Sequence, residues 1–190
     1  MKILRVRDRI VTPWKNGGGT TAEIAAYPPG AGLDDFHWRV SVADVRTGGP
    51  FSHFAGVDRK LALLKGALSL TIEEQGTIAL TPHSRPLAFP GDVRTDAVLT
   101  SDVVQDLNVM TRRGVAISTV TRQRSIQIAP TDASVCIAYF LSDAASFDGE
   151  TILAAGDAVM LASGETLNLR AEAEFYRIEV GSSAPHLSKP

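Results

Sequence analysis

Phe36-His37-Trp38-Arg39-Val40-Ser41-Val42-Ala43 is the stretch on which the fold class turns. Phe36, Trp38, Val40 and Val42 alternate with His37, Arg39, Ser41 and Ala43, the period of two that puts successive side chains on opposite faces of a strand. Arg124-Ser125-Ile126-Gln127-Ile128 and Phe175-Tyr176-Arg177-Ile178-Glu179-Val180 alternate in the same way. Val135-Cys136-Ile137-Ala138-Tyr139-Phe140-Leu141 is a continuous apolar run of strand length. Between such runs lie turn clusters, among them Thr47-Gly48-Gly49-Pro50, Phe89-Pro90-Gly91-Asp92 and Phe147-Asp148-Gly149. Short apolar runs separated by Gly, Pro and Asp predict an all-β protein, an antiparallel sandwich or barrel. Only Ala62-Leu63-Leu64-Lys65 reads equally well as helix or strand.

The order of these runs repeats. Leu61 to Leu70, Thr77 to Leu80 and Pro90-Gly91-Asp92-Val93 make one series; Val135 to Leu141, Glu150 to Leu153 and Gly156 to Val159 make another. Each series is a strand, a turn, a short strand and a Gly-Asp bend. The repeat predicts two fused jelly-roll barrels packed as one body, with halves at 1–114 and 115–180. The tail at 181–190, rich in Ser and Pro, is expected to fray.

Composition narrows the function. The chain has 190 residues, 44% hydrophobic and 21% charged, which is ordinary for a globular protein with a core. Its 19 Lys and Arg against 21 Asp and Glu give a net charge of -2, and nucleic acid is not expected as a partner. Arg112, Arg113, Arg122 and Arg124 form a loose basic cluster, but no aromatic residues interleave it. The single cysteine, Cys136, cannot close an internal disulfide and suits a reducing cytoplasm. Charge interrupts residues 1–9, so no signal peptide is read there. No apolar run approaches the roughly 18 residues of a membrane span, so the expectation is a cytoplasmic protein with no membrane partner.

Three stretches could carry chemistry. The first lies around Arg59. Cupin-type jelly rolls place a His-x-His pair and then a glutamate ahead of a closing glycine. Set on Gly66, that spacing puts Arg59 where the glutamate would stand and His53-Phe54-Ala55 in the His-x-His slot. A second-motif histidine would fall near Arg94, and none is there. A divalent ion needs about three or four converging donors, so neither metal nor cofactor is expected. His53 reads as a surface histidine or as a ligand contact. A guanidinium facing a barrel interior keeps its charge, so Arg59 requires an acid of the protein, such as Asp44 or Glu23, or an anionic ligand.

The second stretch is Pro13-Trp14-Lys15-Asn16-Gly17-Gly18-Gly19-Thr20. Its glycines could expose N–H groups as an anion nest, with Lys15 adding charge and Asn16 and Thr20 adding donors. A plain flexible loop is the other reading. The third is Asp106-Leu107-Asn108-Val109-Met110-Thr111-Arg112, with Asp106, Asn108, Met110 and Arg112 on one face. That face either lines a pocket or lies in water along an edge strand. No Gly-x-Ser-x-Gly elbow is present, and Cys136 has no charged neighbour in sequence to activate it.

Taken together, these stretches resemble the HutD/Ves family. The resemblance rests on Trp14-Lys15-Asn16-Gly17-Gly18-Gly19, Trp38-Arg39-Val40-Ser41-Val42-Ala43, Gly49-Pro50-Phe51-Ser52-His53-Phe54, Gly56-Val57-Asp58-Arg59, Gly91-Asp92 and Asn108-Val109-Met110-Thr111-Arg112-Arg113-Gly114. Ala55 stands where a proline is expected, and Leu107 where an aromatic residue is expected. The resemblance implies a metal-free bicupin of bacterial cytoplasm, associated with histidine utilisation in many members and described only as stress-induced in others. It implies a pocket for anionic intermediates of the urocanate or N-formylglutamate type, and the leading expectation is a non-catalytic binder that senses or buffers one of them. A metal-independent hydrolase or isomerase of the same pathway, or a stress-related protein-interaction module, is the alternative, and a homodimer stays open. In this reading Arg59 grips the carboxylate, Arg39 and Ser41 share its lumen, and Asn108 fixes the polar end. Lys15, Asn16, Gly17, Gly18 and Thr20 close the mouth, and His53 and Arg112 complete the site.

Overall fold

The computed structural model describes residues 1–131, 133 and 135–183. Among them the chain forms seventeen strands, one 3-10 turn at Val6–Asp8 and no α-helix. Each strand pairing is antiparallel. The chain opens with β1 (Lys2–Leu4). There follow β2 (Val11–Pro13), β3 (Gly19–Tyr27), β4 (Trp38–Val45), β5 (Gly49–Pro50), β6 (Val57–Lys65) and β7 (Leu68–Ile72). Next come β8 (Gly76–Leu80), β9 (Leu87–Pro90), β10 (Thr95–Leu99) and β11 (Val104–Arg112). The strands from β2 to β11 lie in one unit, Arg9–Arg112.

That unit is a sandwich of a six-stranded sheet, β2-β3-β4-β11-β6-β9, and a four-stranded sheet, β5-β10-β7-β8. Ala43, Val45, Leu61, Leu63, Phe89 and Val104 of the larger sheet pack against Leu68, Leu70, Ile72, Leu80 and Ala97 of the smaller. Ala62-Leu63-Leu64-Lys65 is strand, because β6 runs between β11 and β9. Leu61, Ala62 and Leu63 are buried on both faces, which erases the alternation that would mark a half-exposed strand. In β4 the predicted alternation holds. Its Arg39/Ser41/Ala43 side faces the core between the sheets, while Trp38, Val40 and Val42 are buried on the opposite face.

The second unit combines Met1–Asp8 with the chain from Arg113 onward. It contains β12 (Ala116–Ile128), β13 (Val135–Phe140), β14 (Ala144–Ala145), β15 (Ile152–Leu153), β16 (Ala158–Ala162) and β17 (Leu167–Ser182). Its main sheet runs β1-β16-β13-β17-β12, beside the small β14-β15 pair. Cys136, Ala138, Phe140, Val159, Leu161 and Phe175 are central to its core. At the predicted fraying tail, Gly181 and Ser182 pair with Ile117 and Ala116; residues 184–190 lie outside the described residues.

Candidate functional site

Register across the six-stranded sheet assembles a polar patch inside an apolar sandwich. One row runs Arg39, Met110, Arg59 and Phe89 across β4, β11, β6 and β9. The next runs Ser41, Asn108, Leu61 and Leu87, and the third Ala43, Asp106 and Leu63. Cross-strand partners share a face, so Arg39, Ser41, Arg59, Asn108 and Asp106 all belong to the face that carries the core.

Arg59 is the centre of this patch. It is 5% exposed, and its guanidinium carbon lies 4.7 Å from the centroid of Phe51, 5.2 Å from that of Phe89 and 5.8 Å from that of Phe54. Three ring faces supply partial negative charge but accept no strong hydrogen bond. The buried Nε has no hydrogen-bond partner, and no salt bridge reaches Arg59 among the described residues. Burial pulls its pKa down to about 10, with Asp106 opposing and nearby Arg39 assisting, so it stays cationic at neutral pH.

The loop that carries two of those rings is tied to the bend after β9. Phe54 N–H donates to Gly91 O at 2.8 Å, Gly91 N–H to Val57 O at 2.7 Å, and Gly56 N–H to Asp92 Oδ2 at 3.2 Å. A Cβ on Gly91 would sit 3.3 Å from Arg59 Cγ and Cδ and 3.0 Å from Val57 O, so glycine leaves room for the arginine stem. The Pro90-Gly91-Asp92 bend thus shapes the site.

The acids named from sequence are engaged elsewhere. Glu23 accepts from Arg39 Nε at 2.8 Å, and Asp44 accepts from Gln105 Nε2 at 2.9 Å. The acid coupled to Arg59 is Asp106, 3% exposed, whose carboxyl accepts no hydrogen bond among the described residues. Burial raises its pKa to about 7, against the pull of Arg59 and with a push from Asp44. Asn108 lies on the same strand face, and its Oδ1 is buried without a partner. Asp106 was visible in the sequence only as a member of the Asn108 face.

The remaining residues divide. Arg39 also reaches Ser41 Oγ at 3.3 Å, which keeps both in the patch. Arg112 donates to Phe36 O at 3.0 Å and Asp34 O at 2.7 Å, closing the loop ahead of β4. His53 is exposed, as are Lys15 and Asn16. The glycine run is a tight turn: Gly17 N–H donates to Trp14 O at 3.0 Å and Gly18 N–H to Asn16 Oδ1 at 3.0 Å. Those N–H groups are consumed inside the turn rather than offered as a nest. Thr20 pairs with Asp44 on the face away from Ala43, whereas Thr21 pairs with Ala43 itself.

The family model described as HutD matches residues 7–177. The chain belongs to the HutD family. Over 111 residues it is 38% identical to an uncharacterised 21.2 kDa protein in the hutC 3′ region of Pseudomonas putida, covering 58% of this chain and 57% of that protein. Over 117 residues it is 38% identical to protein Ves of Citrobacter koseri, covering 60% and 59%. The matches thus span somewhat over half the length of these relatives.

Among solved structures, HutD of Pseudomonas fluorescens SBW25 in a formate condition shares 26% identity and a TM-score of 0.80, covering 96% of this chain and 99% of that one. A protein of unknown function from Pseudomonas aeruginosa PAO1 shares 31% and 0.82, covering 95% and 98%. Bacillus subtilis oxalate decarboxylase, at 9% identity and a TM-score of 0.60 over 96% and 79%, shows the bicupin fold alone. The patch is built around a guanidinium, and among the described residues no three His, Cys, Asp or Glu are grouped to hold an ion.

Proposed function

We propose that this chain is a non-catalytic small-molecule-binding protein of the cytoplasm that senses or buffers an anionic intermediate of histidine breakdown. The class is a small carboxylate of the urocanate or N-formylglutamate type. The observation that carries this reading is Arg59: a buried cation, ringed by Phe51, Phe54 and Phe89, with an unpartnered Nε. A buried charge without a bonded counter-charge is costly, and a carboxylate can accept two parallel N–H bonds from a guanidinium. The buried, unpartnered Asn108 Oδ1 is suited to a donor on the same ligand, and Arg39 adds positive field behind it. The family gives the context, with a Pseudomonas putida relative in the hutC 3′ region.

The test is calorimetry with formate, urocanate and N-formylglutamate on the wild type and on Arg59→Lys. A lysine cannot reproduce the planar fork, so binding falls by about 1.5–3 kcal/mol, roughly ten- to a hundred-fold. Lys15→Ala, at an exposed position, costs less. Circular dichroism checks that each variant is folded. Wild-type affinity in a folded Arg59→Lys protein overturns the site. Turnover of any of the three acids replaces the binder with a metal-independent hydrolase or isomerase.

A further inference from the structure

We infer that Asp106 makes the Arg59 lumen a proton-coupled site, in which a small carboxylic acid is taken up as its anion on Arg59 together with a proton on the Asp106 carboxyl. This rests on the reading that an anion occupies Arg59. It goes beyond that reading in giving a second residue a distinct task.

The geometry carries the argument. Asp106 and Arg59 are both buried on one sheet face, two rows apart, with Asn108 in the row between. They are electrostatically coupled but not bonded, and no other hydrogen bond steadies the carboxylate. Two further charges act on the pair at a distance, Arg39 on Arg59 and Asp44 on Asp106, and each has a bonded partner of its own. From β3 and β4, Glu23 is taken by Arg39 and Asp44 by Gln105; on β11, Arg112 is taken by backbone carbonyls. The facing four-stranded sheet contributes Leu68, Leu70, Ile72, Leu80 and Ala97 to the core, and its Asp96, one residue from the inward Ala97, is paired with Arg94 at 3.0 Å.

Without ligand, an ionised Asp106 is the lumen's counter-charge to Arg59. An anion on Arg59 takes over that task and leaves a second negative charge in a site where Asp106 is only 3% exposed. The carboxylate then binds a proton, which turns it into a neutral donor or acceptor beside the ligand. The step balances as one anion and one proton in, with no bond in the ligand made or broken. Below the range in which Asp106 ionises, the proton is already present and affinity is flat. Above it, each bound anion must bring a proton, so the apparent Kd rises about tenfold per pH unit.

Formate and N-formylglutamate are the probes, since their own carboxyls are ionised from pH 6 upward, about two units above the carboxylate range. Calorimetry in two buffers of different ionisation enthalpy counts the protons taken up by the wild-type protein, with no variant needed. The expected result is uptake approaching one proton per probe bound at pH 8, falling toward none near pH 6. Asp106→Asn, close in shape and uncharged, should bind with no proton uptake. Its Kd at pH 8 should be equal to or lower than that of the wild type. Tight binding with no proton uptake at either pH overturns the role of Asp106 and leaves Arg59 as the anion site. Unchanged uptake in a folded Asp106→Asn protein does the same. Absence of binding by folded wild type at both pH values overturns the Arg59 site and this inference together.

Discussion

A single carboxyl in an apolar sandwich makes folding sensitive to pH. Asp106 has a folded pKa near 7, raised by burial above the ordinary carboxylate value, so the native state holds its proton more tightly than the unfolded chain. That contribution is complete below the unfolded value of about 4 and is lost as pH rises towards 7. Asp106→Asn should therefore match the wild type near pH 4 and exceed it by about 2–4 kcal/mol at pH 8, as urea titrations at both pH values would show. A variant no more stable at pH 8 would mean that Arg59 fully compensates the carboxylate. Arg59 could be found from sequence because Gly66 fixes its place in a known spacing. Asp106 could not, since a polar strand face reads alike on an edge and at the centre of a sheet. β11 lies between β4 and β6, and only the fold says so. Cys136 shows the same dependence on depth: burial pushes its thiol up to about 11, with Arg177 opposing and Glu179 assisting. Alkylation should be slow in the native protein and fast in urea; rapid native labelling would contradict its burial in the core.

The elements around Arg59 show how short connections shape a site. The Phe51–Gly56 loop owes its position to the hydrogen bonds with the Pro90-Gly91-Asp92 bend, joined by Phe51 N–H to Thr95 O at 2.8 Å. Gly91→Ala would press a methyl group against the Arg59 stem and Val57 O. The expected cost is about 1–3 kcal/mol of stability, with a further loss of formate affinity that Gly→Ala at exposed Gly114 does not cause. Calorimetry and thermal unfolding on both variants separate the effects, and unchanged affinity in Gly91→Ala would remove the bend from the site. The triple glycine has a packing reason of the same kind. A Cβ on Gly19 would lie 2.4 Å from Asp44 O and 3.0 Å from the Trp14 ring, so the run lets Trp14 lie against the strand start. The sequence displays three glycines and a lysine, which also describes an anion nest. Where each N–H points is a matter of backbone geometry, and residue identity does not encode it.

At the scale of the whole chain, the repeated Gly-Asp bends were legible because the same wiring recurs. Gly91 N–H returns to Val57 O on β6, and Gly156 N–H returns to Phe140 O on β13, at 2.8 Å. The sequence does not show that the second bend also holds the amino terminus. Lys2-Ile3-Leu4 is too short and too interrupted by charge to announce a strand, yet β1 pairs with β16 through Lys2, Ile3 and Leu4. Asp157 secures that return. It accepts from Val6 N–H at 2.8 Å, Arg5 Nη1 at 2.9 Å and Ala154 N–H at 3.1 Å, and it is 3% exposed. Burial alone would raise its pKa, but these donors outweigh burial and lower it. A depressed folded pKa contributes stability above the unfolded value of about 4, which is lost as pH falls through the folded value. Asp157→Ala should therefore cost about 2–4 kcal/mol at pH 7, because Val6 and Ala154 N–H lose their acceptor and Arg5 its counter-charge. The deficit should shrink as the pH drops below 4, where the wild type loses the same interaction. Deleting residues 1–8 should cost at least as much, since β1 leaves with Arg5 and Val6. Hydrogen exchange would then place the loss at β16, whose outer edge β1 covers. Unchanged protection of Ala158 to Met160 in the deletion would show that the second unit is stable without its borrowed strand.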